Sequence, residues 1–287
     1  MKVKGINRNH KDRLFCFIFG SEEHKEWALA LYNAVNGTAY NDEDKIEITT
    51  ISDVLYMGMK NDVSFILHDT MNLYEQQSSY NPNMPVRELM YVGKLYDKYI
   101  RQNKLNIYGR KQIYLPVPKC VVFYNGKEEK EDGILRLSDA FSVNDKEADI
   151  AVSVRVININ KGHNLGLMAS CKPLSEYAWL IQSIREYSMT MEIGEAVDAA
   201  MDNMPEDYEI RSFLEENRSE VKNMCLTEYD EDEVMTMFKE EGREEGIKEG
   251  LVSAIHSIME SFKVSASEAM DILKISAEDR QEYMSML

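Results

Sequence analysis

Two acidic residues, Asp62 and Glu75, and the amide Gln77 are the side chains in this 287-residue chain whose types and spacing point to chemistry. Two short apolar stretches, residues 63–67 and 71–74, lie between the acids and meet at His68, Asp69 and Thr70. β-Branched and aromatic residues alternating on either side of a tight polar turn predict a β-hairpin. If the chain reverses at His68 and Asp69, Asp62 faces Glu75, because opposed positions in an antiparallel pair keep a constant sum. Opposed residues on one face are about 4.5–5.5 Å apart, a separation at which two carboxylates share a divalent cation. Gln77 points to the same face as Glu75. Oxygen ligands with open positions suit Mg²⁺ or Mn²⁺, which bind few protein carboxylates and keep water for reaction.

Acids at the ends of a hairpin are more often plain solvated charges, so the surrounding sequence matters. Asp62 directly precedes an apolar strand, Glu75 and Gln77 end one, and a basic segment follows. The formal net charge of −17 argues against a polyanionic partner. Its distribution argues the other way. Residues 1–130 carry 18 Lys and Arg against 16 Asp and Glu, whereas residues 131–287 carry 15 against 34. Within the first part, residues 86–130 hold ten basic side chains and four acidic ones. A carboxylate pair beside a basic surface is what phosphodiester hydrolysis requires.

The elements that must position these residues read as a mixed sheet flanked by helices, an α/β or α+β core. Residues 11–36 predict two helices, the second opened by Ser21 and closed by Gly37. Residues 46–51 have strand character and 54–59 continue as an extended segment. After the hairpin, a turn-rich loop ends at Pro85 and leads into a helix over 86–102, with Leu89, Val92, Tyr96 and Tyr99 at helical spacing. Residues 114–124 predict a strand ended by Asn125-Gly126, in which Pro116 and Pro118 leave only 120–124 fully paired. Residues 127–147 read as an irregular connection and 148–159 as the last strand. Beyond residue 173 the pattern is helical. Gly242, Gly246 and Gly250 share one face of a long helix over about 230–262, and Ser265 and Ser276 each open a short capped helix. The expected division is a core over 1–172, a helical extension over 173–225 and an acidic helical module over 226–287 that regulates or oligomerises the chain. Homo-oligomers are expected to form through those helices.

Other chemistries lack support. His10, His24, His68, His163 and His256 show no paired spacing for zinc. Cys16, Cys120, Cys171 and Cys225 show neither a CxxC pair nor a disulfide framework. There is no phosphate-binding glycine loop. The N-terminus lacks the apolar run of a signal peptide and no window suits a membrane span, so no membrane partner and a cytoplasmic location are expected.

The run Asp62, Glu75, Gln77 on hairpin strands, with a helix after them, resembles the PD-(D/E)xK nuclease superfamily. The fuller text, NDVSF, YEQQSSYNPNMPVREL and PVPKCVVFYNG, is similar to its recombination-promoting nuclease (Rpn) branch. DRLFCFIFG and the glycine-spaced acidic tail extend the likeness over nearly the whole chain. The resemblance implies a restriction-endonuclease-like core and a Mg²⁺- or Mn²⁺-dependent DNA endonuclease in recombination, mobile-element or phage-defence settings. By position, Asp62 and Glu75 would hold the metal and Gln77 would stand where the superfamily signature has lysine. An amide orients but supplies no charge, which leaves as the alternative a catalytically silent fold that binds DNA or protein. Arg87, Lys94, Lys98 and Arg101 are expected on the DNA backbone. Glu22, Glu23, Glu26 and Asp53 are the candidates for an additional acid.

Overall fold

The computed structural model describes residues 14–49, 62–143, 148–276 and 279–287. Asp53 and the expected extended segment over 54–59 lie outside those residues. The chain forms two compact units, residues 1–229 and 230–287. No helix among the described residues is long and apolar enough to cross a membrane.

The first unit is an α/β structure on a six-stranded mixed sheet. Helices α1 (Leu14–Phe19) and α2 (Lys25–Asn36) precede strands β1 (Glu47–Ile48), β2 (Val63–Leu67) and β3 (Thr70–Gln77). Helix α3 (Met84–Gln102) leads to β4 (Val117–Tyr124), β5 (Gly133–Arg136) and β6 (Ser153–Asn158). The sheet order is β1-β2-β3-β4-β6-β5. Its centre, β3-β4-β6, is parallel, and the outer pairings are antiparallel. Helices α4 (Leu165–Ser170), α5 (Lys172–Tyr187), α6 (Ile193–Asp202), α7 (Arg211–Glu216) and α8 (Arg218–Phe262) follow.

The hairpin turns where the sequence predicts. Leu67 pairs with Thr70, leaving His68 and Asp69 as the turn. His68 adopts the left-handed conformation at φ 54°, which histidine tolerates better than most residues. The Thr70 hydroxyl donates to the Leu67 carbonyl at 2.8 Å. The fourth strand pairs with β3 from Val117 to Tyr124 but with β6 only from Val121, so the part paired on both sides is close to the 120–124 that its prolines suggest. Val117 N donates to Asp69 O, so the next nitrogen, that of Pro118, points to the opposite side, where β4 has no partner before Val121. A missing donor costs nothing there. Strand β5 occupies a stretch read as irregular, helix α4 lies between the last expected strand and the expected helices, and α8 joins what the sequence reads as separate helices.

Helices 173–225 pack into the sheet's own core. One sheet face presents Val63, Phe65, Tyr74, Val121, Phe123 and Ile157 to Phe15, Trp27, Leu31, Tyr177 and Val197 on the helices. The other face carries α3 and is apolar in two patches: Ile66, Met71 and Leu73 with Tyr91 and Leu95, and Val122, Tyr124, Val154 and Val156 with Met84. On α3 the buried positions are Met84, Pro85, Glu88, Tyr91 and Leu95, and beyond the first turn they fall at offsets 4, 7 and 11 from Met84. This stripe is rotated from the one expected through Leu89, and an acid sits in it.

In the second unit, helices α9 (Ala266–Ile272) and α10 (Arg280–Met286) follow α8. Ile255, Ala269, Met270, Ile275 and Tyr283 form its core. The Ser265 capping box is complete, with Glu268 N donating to Ser265 Oγ and Ser265 N donating to the Glu268 carboxylate.

Candidate functional site

The antiparallel register Val63↔Tyr74 places Asp62, one residue before β2, opposite Glu75. Two hydrogen bonds fasten the pair. Asp62 N donates to Glu75 Oε1 at 2.9 Å, and Gln76 N donates to Asp62 Oδ2 at 2.7 Å. The Cys16 thiol donates to Asp62 O at 2.7 Å, tying α1 to the same point.

Alternation along β3 turns Tyr74 and Gln76 to the α1/α2/α5 face and Glu75 and Gln77 to the α3 face. There Arg87 Nη2 meets Glu75 Oε2 at 3.2 Å, and the guanidinium also donates to the Tyr91 hydroxyl at 2.9 Å. The Gln77 amide satisfies both its ends when its oxygen accepts from Arg87 Nη1 at 3.1 Å and its nitrogen donates to Ser79 O at 3.3 Å; we adopt that orientation. Gln77, Arg87, Glu75 and the Asp62 amide thus form one continuous chain of hydrogen bonds. Glycine is required nearby: a Cβ on Gly126, just after β4, would lie 2.1 Å from Ser78 O and 2.4 Å from the Tyr124 hydroxyl.

Glu88 is the residue that sequence reasoning missed. Its side chain is fully buried and neither carboxyl oxygen has a partner of hydrogen-bond geometry; the Cys120 thiol, a weak donor, is its polar neighbour. The available signal was its place in the buried 84-88-91-95 stripe, where an apolar residue belongs.

Burial dominates the electrostatics. It lifts the Glu75 carboxyl well above the usual carboxylate range, Asp62 and Glu88 lift it further, and Arg87 and the Asp62 amide pull it back. Glu88 is pushed up to about 8, by burial first, against the opposing effects of Cys120 and Arg87. Tyr91 rises to about 12 through burial and the nearby Glu75 charge. Burial works against the Arg87 charge, but Glu75 and Tyr91 more than offset it and raise its pKa.

The remaining predicted residues fall elsewhere. Glu22 pairs with Lys25 at 3.0 Å and Glu26 with His24 at 2.9 Å. Glu23 lines a cleft with Cys16, Phe17 and Phe213. Of the basic residues assigned to DNA, Arg87 turns inward onto Glu75, Lys98 donates to Thr49 O at 3.3 Å and Arg101 pairs with Asp97 at 3.1 Å. Lys94 is half-buried on α3. Among the described residues, no group of three or more His, Cys, Asp or Glu side chains is arranged to hold a metal ion. Compared with family models, curated proteins and solved structures, the chain finds no match.

Proposed function

We propose that this chain is a metal-dependent DNA endonuclease with a restriction-endonuclease-like core, as its resemblance to the Rpn branch of the PD-(D/E)xK superfamily implies. The observation that carries the reading is the convergence of Asp62 and Glu75, with the Asp62 amide on the Glu75 carboxylate at 2.9 Å and Gln77 on the same face.

The donor set fits Mg²⁺ or Mn²⁺. Asp62 and Glu88 raise the proton affinity of Glu75, Asp62 raises that of Glu88, and the buried Glu88 oxygens have only the weak Cys120 donor near them. Excess buried negative charge of this kind is what a divalent cation neutralises, and every donor is a hard oxygen. The ion would rest on Asp62 and Glu75, with water completing its shell. Bound there, it supplies Lewis acidity to a phosphate oxygen and acidity to a water nucleophile. Gln77 orients water or phosphate. The charge that an amide lacks sits beside it on Arg87, 3.1 Å away, where a guanidinium can offset charge developing on phosphorus.

Supercoiled plasmid with Mg²⁺ or Mn²⁺ tests this. The parent chain should nick it, and Asp62→Ala and Glu75→Ala should each slow nicking by about a hundredfold or more. Nicking that survives both substitutions overturns the site. A second reading is favoured by a specific observation: Glu75 and Gln77 are nearly inaccessible, at 0% and 7% exposure, and Glu75 is already ion-paired. In that reading the fold is catalytically silent and binds DNA or protein, and no metal produces nicking by the parent.

A further inference from the structure

From residue 98 to residue 127 the chain carries seven basic side chains and no acidic one, within a protein of net charge −17. Much of this stretch is the connection between α3 and β4, and the structure leaves it open to solvent. Leu105 N donates to Ile100 O and Tyr96 Oη to Pro116 O, which pin the two ends of the connection. Between them a tight turn is closed by Gly109 N on Asn106 O at 3.2 Å, while the Asn106 side chain accepts from Tyr108 N at 3.0 Å. The turn holds Tyr108 at its tip, 92% exposed, with Ile107 beside it; Tyr114 is 83% exposed. Among the described residues, Lys104, Arg110 and Lys111 have no acidic partner, and all three are exposed.

We propose that residues 103–116 dock an unpaired DNA strand, with Tyr108 and Tyr114 as base-stacking platforms and Lys104, Arg110 and Lys111 on its phosphates. This rests on the nuclease reading for the choice of DNA. The physical case is independent of the acid pair. An exposed tyrosine ring gains from stacking on a base face, and a duplex hides those faces whereas a single strand offers them. An uninterrupted run of positive charge selects a polyanion. The basic residues of α3 are largely engaged within the protein, so the accessible positive surface is this connection.

The loop lies at the far end of the strand from the acids. Val117 pairs with Thr70, whereas Glu75 pairs with Val122, so the two places are separated by about 17 Å along the sheet. Helix α3 spans that distance. A strand held by the tyrosines is therefore anchored by the loop at a distance from the bond that is cut.

The test is fluorescence anisotropy with labelled oligonucleotides in EDTA, where no cleavage interferes. The parent should bind a single-stranded oligodeoxynucleotide more tightly than its duplex. Tyr108→Ala/Tyr114→Ala should weaken single-strand binding by roughly tenfold or more, and Tyr108→Phe/Tyr114→Phe, which keeps both rings, should bind within about twofold of the parent. Lys104→Ala/Arg110→Ala/Lys111→Ala should flatten the salt dependence. Unchanged binding by the double alanine variant overturns the proposal, as does an absence of DNA binding by the parent. Tyrosine-dependent capture of an RNA strand or of anionic lipid vesicles in preference to DNA also overturns it. Plasmid nicking is read separately: a parent that nicks with a dispensable loop leaves the nuclease standing, and loop-dependent binding without nicking leaves the loop standing.

Discussion

Of the three described glutamates of the first unit that are almost wholly removed from water, Glu176 and Glu88 are treated in opposite ways. Glu176 on α5, 1% exposed, accepts from Glu209 N at 3.0 Å and from Ile210 N at 3.1 Å. Its carboxylate closes the backbone where the chain enters α7, and burial still lifts its pKa against those two hydrogen bonds. Glu88 on α3 is fully buried and has neither oxygen bonded. Burying a carboxyl without partners costs free energy. The first glutamate stabilises the fold, whereas the second burdens it. The burden falls on the sheet face where the apolar surface is already broken by Glu75 and Gln77.

The contrast can be broken experimentally. The largest effect is expected from Glu176→Ala, which strands the buried Ile210 N–H and the part-buried Glu209 N–H and should cost about 4 kcal/mol in urea unfolding; a parent-like midpoint would remove the structural half of the comparison. Glu88→Met should act in the opposite direction and depend on pH. The folded pKa of Glu88, about 8, lies above the ordinary 4.5, so between those values the folded chain holds a proton that the unfolded chain has lost. Stability therefore falls as pH rises through that window. Unfolding in EDTA should show the methionine variant ahead, with a lead that grows by about 3.5 kcal/mol from pH 5 to pH 8. A constant difference across that range would show that Glu88 is already compensated. The smallest effect is that of the ion: Mn²⁺ at about ten times its dissociation constant should stabilise the parent by about 1.4 kcal/mol and leave Glu75→Ala unmoved. Equal stabilisation of both would place the ion elsewhere.

What could be read from the sequence divides along the same line. The hairpin register followed from local pattern alone, because a two-residue turn at His68 and Asp69 determines which residues oppose each other. The start of α3 was legible within two residues from Pro85. Glu88 was not, because a charge in an amphipathic helix defaults to the solvent side, and the rotation of α3 on the sheet is set by Met84, Tyr91 and Leu95 packing on distant strands. The inward turn of Arg87, read as a DNA-backbone contact, was hidden for the same reason: its partner Glu75 is close only once α3 folds back over β3. Strand β5 was hidden by its length, four residues in a charged stretch, and exists through its pairing with β6. The helices after residue 173 read as a separate extension because their own pattern is complete. Only the packing of Tyr177 against Phe15 and Phe19 shows the shared core.

The hairpin turn also bears on the order of assembly. Strands β2 and β3 meet across two residues, a closure that takes microseconds. Pairing of β3 with β4 must wait until residues 78–116 have been gathered into a crossover, and such non-local contacts form late. Asp62 and Glu75 are thus opposed by a contact that needs the hairpin alone, whereas Arg87 reaches Glu75 only through the fold of α3 back over β3.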